Sequence, residues 1–266
     1  MKLLVCLVAL IMVLTPLANA KDLRTARAES VGMSSERLAR IKPLLQRYVD
    51  EGKIAGIQTL IAREGKIVHF EQIGKLDLDT GSDLKDDSLF RIYSMTKPIT
   101  TTAAMILYEE GKLRLDDPVE KYLPAFKNQK VLIDGALVDV THAITIRELM
   151  SHTAGLTYGI FGNSAIDQQY RAAMFGEDYQ FDFSNTTINA DASKIKTLDD
   201  LVNAIGPIPL QYQPDTQWVY RLSVDVLGAV IEKISGQTVD IFMRERLFEP
   251  LKMNDTFFEG PQDKIH

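Results

Sequence analysis

The run Ile99–Tyr108 constrains the fold of this chain more than any other segment. It is apolar nearly throughout (Ile99-Thr100-Thr101-Thr102-Ala103-Ala104-Met105-Ile106-Leu107-Tyr108) and is closed by Glu110-Gly111. A helix of that composition has to be covered by other elements, and Gly111 is the expected residue just past its end. The segment heading it, Ser94-Met95-Thr96-Lys97, follows the β-prone Leu89-Phe90-Arg91-Ile92-Tyr93. If the run is a buried helix, Ser94 sits at its N-terminus and Lys97 lies one turn on, on the same face. A serine hydroxyl becomes a nucleophile when a base takes its proton. A lysine in an apolar pocket can be that base, because burial disfavours its charged form. The helix start would add N–H groups that favour a developing oxyanion.

Ser and Lys three apart should occur about once by chance in a chain of this length, given ordinary residue frequencies. A second match is indeed present, Ser82-Asp83-Leu84-Lys85. It falls in the polar stretch Asp79–Asp87, where nothing can bury the lysine, and reads as a solvated turn. On local sequence Ser94 fits two descriptions equally: a nucleophile with its base, or a capping serine with a lysine snorkelling off a core helix.

Upstream, Ser34–Glu51 is expected to be a helix, capped by Ser34 or Ser35 and striped by Leu38, Ile41, Leu44, Leu45 and Val49. Gly56–Ala62 and Lys66–Ile73 read as two strands joined in a hairpin by Arg63-Glu64-Gly65. Downstream, Asp116-Asp117-Pro118-Val119 should start a short helix, with Asp as cap and Pro in the first turn, ending at Pro124. Val131–Val140 reads as a small hairpin around Asp134-Gly135, and Thr145–Thr153 as a short helix closed by Gly155. From Leu156 to Leu210 the pattern breaks down into Asp, Asn, Gly and Thr, with one helical piece near Leu198–Ile205. Stretches of that length in a compact domain are usually functional loops. Ser223–Lys233 and Thr238–Phe248 are amphipathic helices separated by Ser235-Gly236.

At 45% hydrophobic and 25% charged residues the chain is not disordered. Its net charge of −6, with no basic stripe, excludes a nucleic-acid partner. Met1–Ala20 reads as a signal peptide: Lys2, then apolar Leu3–Leu17, then Ala18-Asn19-Ala20 of small-x-small form. The apolar run is shorter than the roughly 20 residues a span needs, so no stable membrane span is expected after cleavage. The product would be exported, to the periplasm or medium. Cys6, the one cysteine, lies in that leader, so the remaining chain has neither disulfides nor thiolate chemistry. His69, His142, His152 and His266 show no metal-ligand spacing. His152, at the end of the Thr145–Thr153 helix, reads as a packed or capping residue. No metal and no cofactor is expected, and the oligomeric state is not legible.

Several segments together resemble the serine β-lactamase and penicillin-binding-protein superfamily, in its class C-like branch. They are Phe90–Lys97, Glu109–Val119, Ile146–Leu156 and Pro214–Tyr220, and the resemblance extends over Val31–Gly260. Ser-x-x-Lys is one of that superfamily's motifs. The resemblance implies an α/β fold of β-lactamase/transpeptidase type: an antiparallel sheet flanked by helices, a mostly helical second lobe, and the site between them. It implies acyl transfer by Ser94, with Lys97 and Tyr220 handling the proton. Tyr220 fills the tyrosine position of the family's Tyr-x-Asn motif. Leu222 stands where the family often has asparagine, as a substrate-binding position that offers no amide. The resemblance therefore points to a β-lactamase-fold carboxylesterase, the substrate being a small ester. A class C-like β-lactamase or D-Ala-D-Ala carboxypeptidase acting on β-lactams or peptides is the alternative. A catalytically inactive penicillin-binding-like module is the non-enzyme alternative. The family's third motif, a Lys/His-x-Gly strand, has no counterpart before His266. Residues 21–266 are thus expected to be the hydrolase domain without its last strands, and poorly active in that form.

Overall fold

The computed structural model describes residues 23–176, 179 and 193–260. Met1–Ala20, Cys6, His266 and part of the Leu156–Leu210 stretch lie outside the described residues. The described residues fall into two compact units: those up to Phe90 with Pro250–Lys252, and those of 91–249 with 253–260.

In the first unit a two-residue strand, β1 (Arg24–Thr25), pairs in parallel with one edge of a hairpin. The helix expected over Ser34–Glu51 is two helices, α1 (Ser35–Leu38) and α2 (Ile41–Asp50), interrupted at Ala39 and Arg40. Ser34 caps α1 by accepting from the Arg37 N–H at 3.2 Å. Ile41, Leu45 and Val49 are the half-buried stripe of α2, while Leu44 points outward. The hairpin forms as expected, β2 (Gly56–Arg63) antiparallel to β3 (Lys66–Gly74), with a bulge between Ile61 and Ala62. The strand order is β1-β3-β2. Lys42 of α2 pairs with Glu71 of β3 at 2.9 Å, tying helix to sheet.

In the second unit, α3 (Thr96–Glu109) does not continue from a strand. Leu89–Ile92 has no ladder, and Tyr93–Met95 is a 3₁₀ turn. Nor is α3 buried all round: Thr100, Ala103, Ala104 and Leu107 face the core, while Met105 and Tyr108 are exposed. Gly111 follows the helix end with a φ of +69°, as expected. The Asp-capped helix near Pro118 is instead two 3₁₀ turns, Val119–Lys121 and Pro124–Phe126. Pro118 is the flanking residue of the first, and Asp117 spends its carboxylate on the Arg114 N–H and the Tyr122 hydroxyl. The small hairpin is β4 (Lys130–Ile133) with β5 (Ala136–Asp139).

Then α4 (Ile146–Ser151) starts on a capping box, Thr145 with Glu148, and is closed by His152 at φ +58° rather than by Gly155. The stretch expected to be loop contains a helix, α5 (Ala165–Phe175), as well as the expected α6 (Leu198–Ile205). Both begin on capping boxes, Ser164 with Asp167 and Thr197 with Asp200. Next, α7 (Ser223–Ser235) buries Val224 and the continuous run Val226–Ile231, and packs on α3, α4 and α6. Six consecutive buried residues span more than a full turn, so the middle of this helix is covered on every side, while Asp225, Glu232 and Lys233 keep its ends polar. Last, α8 (Val239–Met243) runs into a π-helical turn, Arg244–Phe248.

Candidate active site

Ser94 occupies the tight turn that leads into α3. The residue before it, Tyr93, has φ +43°. That left-handed conformation is costly for a residue with a side chain, by about 1–3 kcal/mol. It swings the chain so that Ser94 stands exposed, with Lys97 a turn along the same face. The Lys97 Nζ donates to the Ser94 Oγ at 3.4 Å. The turn itself engages the Met95 N–H, which donates to the Ile92 carbonyl at 2.9 Å.

Tyr220 arrives from the other side of the sequence. Its segment is laid along the end of α4 by backbone bonds: Gln211 N–H to Gly155 O at 2.8 Å, Asp215 N–H to Thr153 O at 2.9 Å and Val219 N–H to His152 O at 2.9 Å. Gly155 makes this approach possible, because a Cβ there would lie 2.3 Å from the Tyr212 carbonyl oxygen. The Lys97 ammonium sits 4.8 Å from the Tyr220 ring centre and 5.7 Å from that of Tyr158. His152 packs on Tyr220 at 4.8 Å between centres, and its Nδ1 accepts from the Arg221 N–H at 3.4 Å.

Tyr158 is the site residue that sequence reasoning missed. Its loop is fastened to α5. Asp167, only 4% exposed, accepts from the Thr157 hydroxyl at 2.5 Å and from the Ser164 N–H and hydroxyl at 2.9 and 2.8 Å. Arg171 donates to the Gly159 and Gly162 carbonyls. Gly159, at φ +75°, lets the loop press against Tyr170, where a Cβ would lie 2.6 Å from the Tyr170 Cβ.

These neighbours set the protonation states. Burial pulls the Lys97 pKa down, but hydrogen bonding to Tyr158 and Tyr220 and the negative charge of Asp225 outweigh it, so it lies above the ordinary lysine value. The expected neutral lysine is thereby corrected: the surroundings that bury Lys97 are phenols, which stabilise an ammonium, rather than hydrocarbon, which would not. Burial likewise pushes the Tyr220 phenol up, but the Ser94 hydroxyl and the Lys97 ammonium prevail and hold it below the ordinary value. Tyr158 goes the other way: burial dominates, raising its pKa, and it stays a phenol. His152 is held below its usual value by burial and by the nearby Lys97 charge. Asp225, in the first turn of α7, is raised by burial despite Lys97. It lines a cavity of about 270 Å³ with Lys97, Thr96, Thr100, Tyr93 and Phe258.

Leu222 immediately precedes α7 as its N-terminal flanking residue, half-buried and packed against the core cluster. Ser82 and Lys85 are exposed, on a turn of the first unit. Among the described residues no group of three His, Cys, Asp or Glu side chains is arranged to hold a metal ion.

The sequence profile of the Beta-lactamase family matches residues 41–266. The chain belongs to the Beta-lactamase family. Its relatives in that family include Esterase EstB of Burkholderia gladioli, 31% identical over 220 residues, which cover 83% of this chain and 51% of EstB. Lovastatin esterase of Penicillium rubens is 28% identical over 222 residues, 80% of this chain and 51% of the relative. Among solved structures, EstCE1, described as a hydrolase with promiscuous acyltransferase activity, superposes with a TM-score of 0.66 at 31% identity, over 82% of this chain and 52% of EstCE1. The fold is the β-lactamase/transpeptidase-like one. The chain spans about half the length of the curated relatives it matches.

Proposed function

We propose that this protein is a serine carboxylesterase that works through an acyl-enzyme on Ser94. One observation carries the reading: Ser94 Oγ lies in hydrogen-bond reach of an ammonium, Lys97, that also faces a phenol of lowered pKa, Tyr220. The esterase relatives support it.

In this reading Tyr220 is the base and Lys97 the charge that makes it one. The Tyr220 phenolate takes the Ser94 proton as Oγ bonds to the ester carbonyl carbon. The tetrahedral intermediate collapses, its bond to the alcohol oxygen breaks, and that oxygen leaves with the proton from Tyr220. Water then adds to the acyl-Ser94 carbonyl and gives a proton to Tyr220. The bond to Oγ breaks, Oγ recovers the proton, and the carboxylic acid departs. Tyr158, protonated throughout, holds Lys97 and Tyr220 in place. Leu222 is read as an apolar substrate-side position. An amide substrate would leave its N–H unpaired there, at about 1–3 kcal/mol, whereas an ester has none.

The test is kcat/KM for p-nitrophenyl butyrate against nitrocefin, in wild type and Leu222→Asn. The ester should be preferred, and Leu222→Asn should shift the ratio toward the lactam. Nitrocefin hydrolysed as efficiently as the ester contradicts the esterase reading.

Met1–Ala20 is proposed as a signal peptide, giving a periplasmic or secreted enzyme whose hydrolase domain begins at Lys21. The charged start, apolar run and small-x-small end support this. No helix among the described residues is long and apolar enough to cross a membrane. N-terminal sequencing of the exported form should begin at Lys21; retained Met1 would overturn it.

A further inference from the structure

His152 holds the backbone on both sides of Tyr220. Its carbonyl accepts from the Val219 N–H at 2.9 Å, and its ring Nδ1 accepts from the Arg221 N–H at 3.4 Å. The imidazole also lies against the Tyr220 ring, tilted by 40° at 4.8 Å between centres. One residue therefore contacts the residue before Tyr220, the residue after it and the phenol ring itself. Tyr220 has need of such a hold, because residues 217–220 belong to no helix or strand. The backbone of His152 is not the easy choice for its place. It closes α4 at φ +58° and ψ +34°, where glycine or asparagine would sit with less strain. Closing a helix requires no imidazole. What histidine adds there is an acceptor and a flat ring, and both are turned to the Tyr220 segment. An accepting Nδ1 carries no proton, so the ring is the neutral tautomer with its hydrogen on Nε2. Burial and the nearby Lys97 charge keep it neutral. Among the described residues no carboxylate hydrogen-bonds to the ring, which would favour the imidazolium.

We propose that His152 is the positioning residue for Tyr220: its carbonyl and Nδ1 fix the peptides flanking Tyr220, and so keep the phenol on Ser94 and Lys97. Its side chain touches neither Ser94 nor the ester and acts through Tyr220 alone. Without the Nδ1 acceptor the Arg221 N–H loses its partner and the phenol drifts from the ammonium that lowers its pKa. The proposal rests on the reading of Tyr220 as the base and adds what aims it.

The test compares two substitutions. His152→Asn sets a neutral side-chain oxygen near the place of Nδ1 and tolerates the left-handed backbone; His152→Leu fills the space and accepts nothing. Should His152→Leu not fold, His152→Gln, whose oxygen stands one bond too far out, takes its place. The protein is labelled with ¹³C at the tyrosine Cζ, and the NMR signal of Tyr220, identified by its loss in Tyr220→Phe, is followed through its titration. His152→Leu should move that titration upward, toward the ordinary tyrosine value, and His152→Asn should leave it in place. On p-nitrophenyl butyrate, His152→Leu should lower kcat by about tenfold or more, as a misaimed proton acceptor does, with KM within about twofold. His152→Asn should restore kcat to within about threefold of wild type. A Tyr220 titration that His152→Leu does not move, or Asn and Leu variants equally impaired, overturns the proposal. The titration needs no turnover. A wild type that hydrolyses no ester, yet whose Tyr220 titration moves in His152→Leu and not in His152→Asn, keeps the positioning role and sinks the esterase reading. An active esterase whose Tyr220 titration ignores both variants does the reverse.

Discussion

Ser82-Asp83-Leu84-Lys85 and Ser94-Met95-Thr96-Lys97 share one spacing and none of its consequences. In the first, the backbone is a polar turn. Asp77 accepts from the Asp79 and Thr80 N–H groups at 2.7 and 3.2 Å, Ser82 Oγ shares a hydrogen bond with Thr80 Oγ1 at 2.8 Å, and Asp83 pairs with Lys75 at 2.5 Å. Its polar side chains are spent on the turn and Lys85 stands in water. In the second, a left-handed Tyr93 and a 3₁₀ turn feed a helix, which sets serine and lysine on one face. Aromatic rings then half-bury the lysine and a phenol of lowered pKa is brought in from Tyr220. The spacing is a licence for the chemistry; a helix start and two distant phenols are what use it.

The largest effect should come from removing the two lysines in turn. Lys97→Ala is expected to lower ester kcat/KM by about 10²–10⁴-fold, the range for a positioned proton-transfer system. Lys85→Ala should leave it within about twofold. Comparable losses would erase the distinction between the two turns.

A smaller effect sharpens it. In the proposed mechanism Tyr220 acts deprotonated, so kcat/KM should rise with pH through the lowered Tyr220 pKa, and fall again only where the raised Lys97 pKa lets the ammonium go. Tyr158→Phe removes a hydroxyl that lowers the first and raises the second. The rising limb should therefore move to higher pH and the falling limb to lower pH, narrowing the profile. A pH profile of the variant that superposes on wild type would leave Tyr158 no part in the site.

Much of this was legible because it is local. The hairpin Gly56–Ile73 declares itself by β-branched runs around Arg63-Glu64-Gly65, and the start of α4 by Thr145 with Glu148. Other features needed partners far along the chain. That Lys97 stays charged depends on Tyr158, Tyr220 and Asp225, over sixty residues away or more, and no spacing announces them. Tyr158 looks like any loop tyrosine between Leu156 and Gly159. The missed α5 did leave a signal: Ser164 and Asp167 as a capping pair, then Ile166, Tyr170 and Met174 every fourth residue. Its many polar residues and the flanking Gly159 and Gly162 masked that stripe as loop. The break at Ala39 and Arg40 and the left-handed His152 are tertiary choices that propensity alone does not dictate.

The smallest effect concerns stability. Asp167 is buried and lowered in pKa: burial opposes its charge, but Thr157 and Ser164 outweigh it. Asp167→Ala should cost about 1.5–3 kcal/mol at neutral pH, by the worth of hydrogen bonds to a charged group. A carboxylate lowered in the folded state stabilises above its unfolded pKa, and that stability is lost as pH falls through the folded one. The difference between variant and wild type should therefore shrink in acid. Asp83→Ala, in the exposed turn, should leave the melting temperature unchanged. Equal melting shifts for the two would show that the Tyr158 loop is no better supported than the Ser82 turn.

The most direct measurement is covalent. Treating the protein with a fluorophosphonate and mapping the modified peptide by mass spectrometry asks which serine the fold has activated. The account predicts label on Ser94 alone, lost in Ser94→Ala and retained in Ser82→Ala. Label on Ser82, or undiminished label in Ser94→Ala, would contradict it.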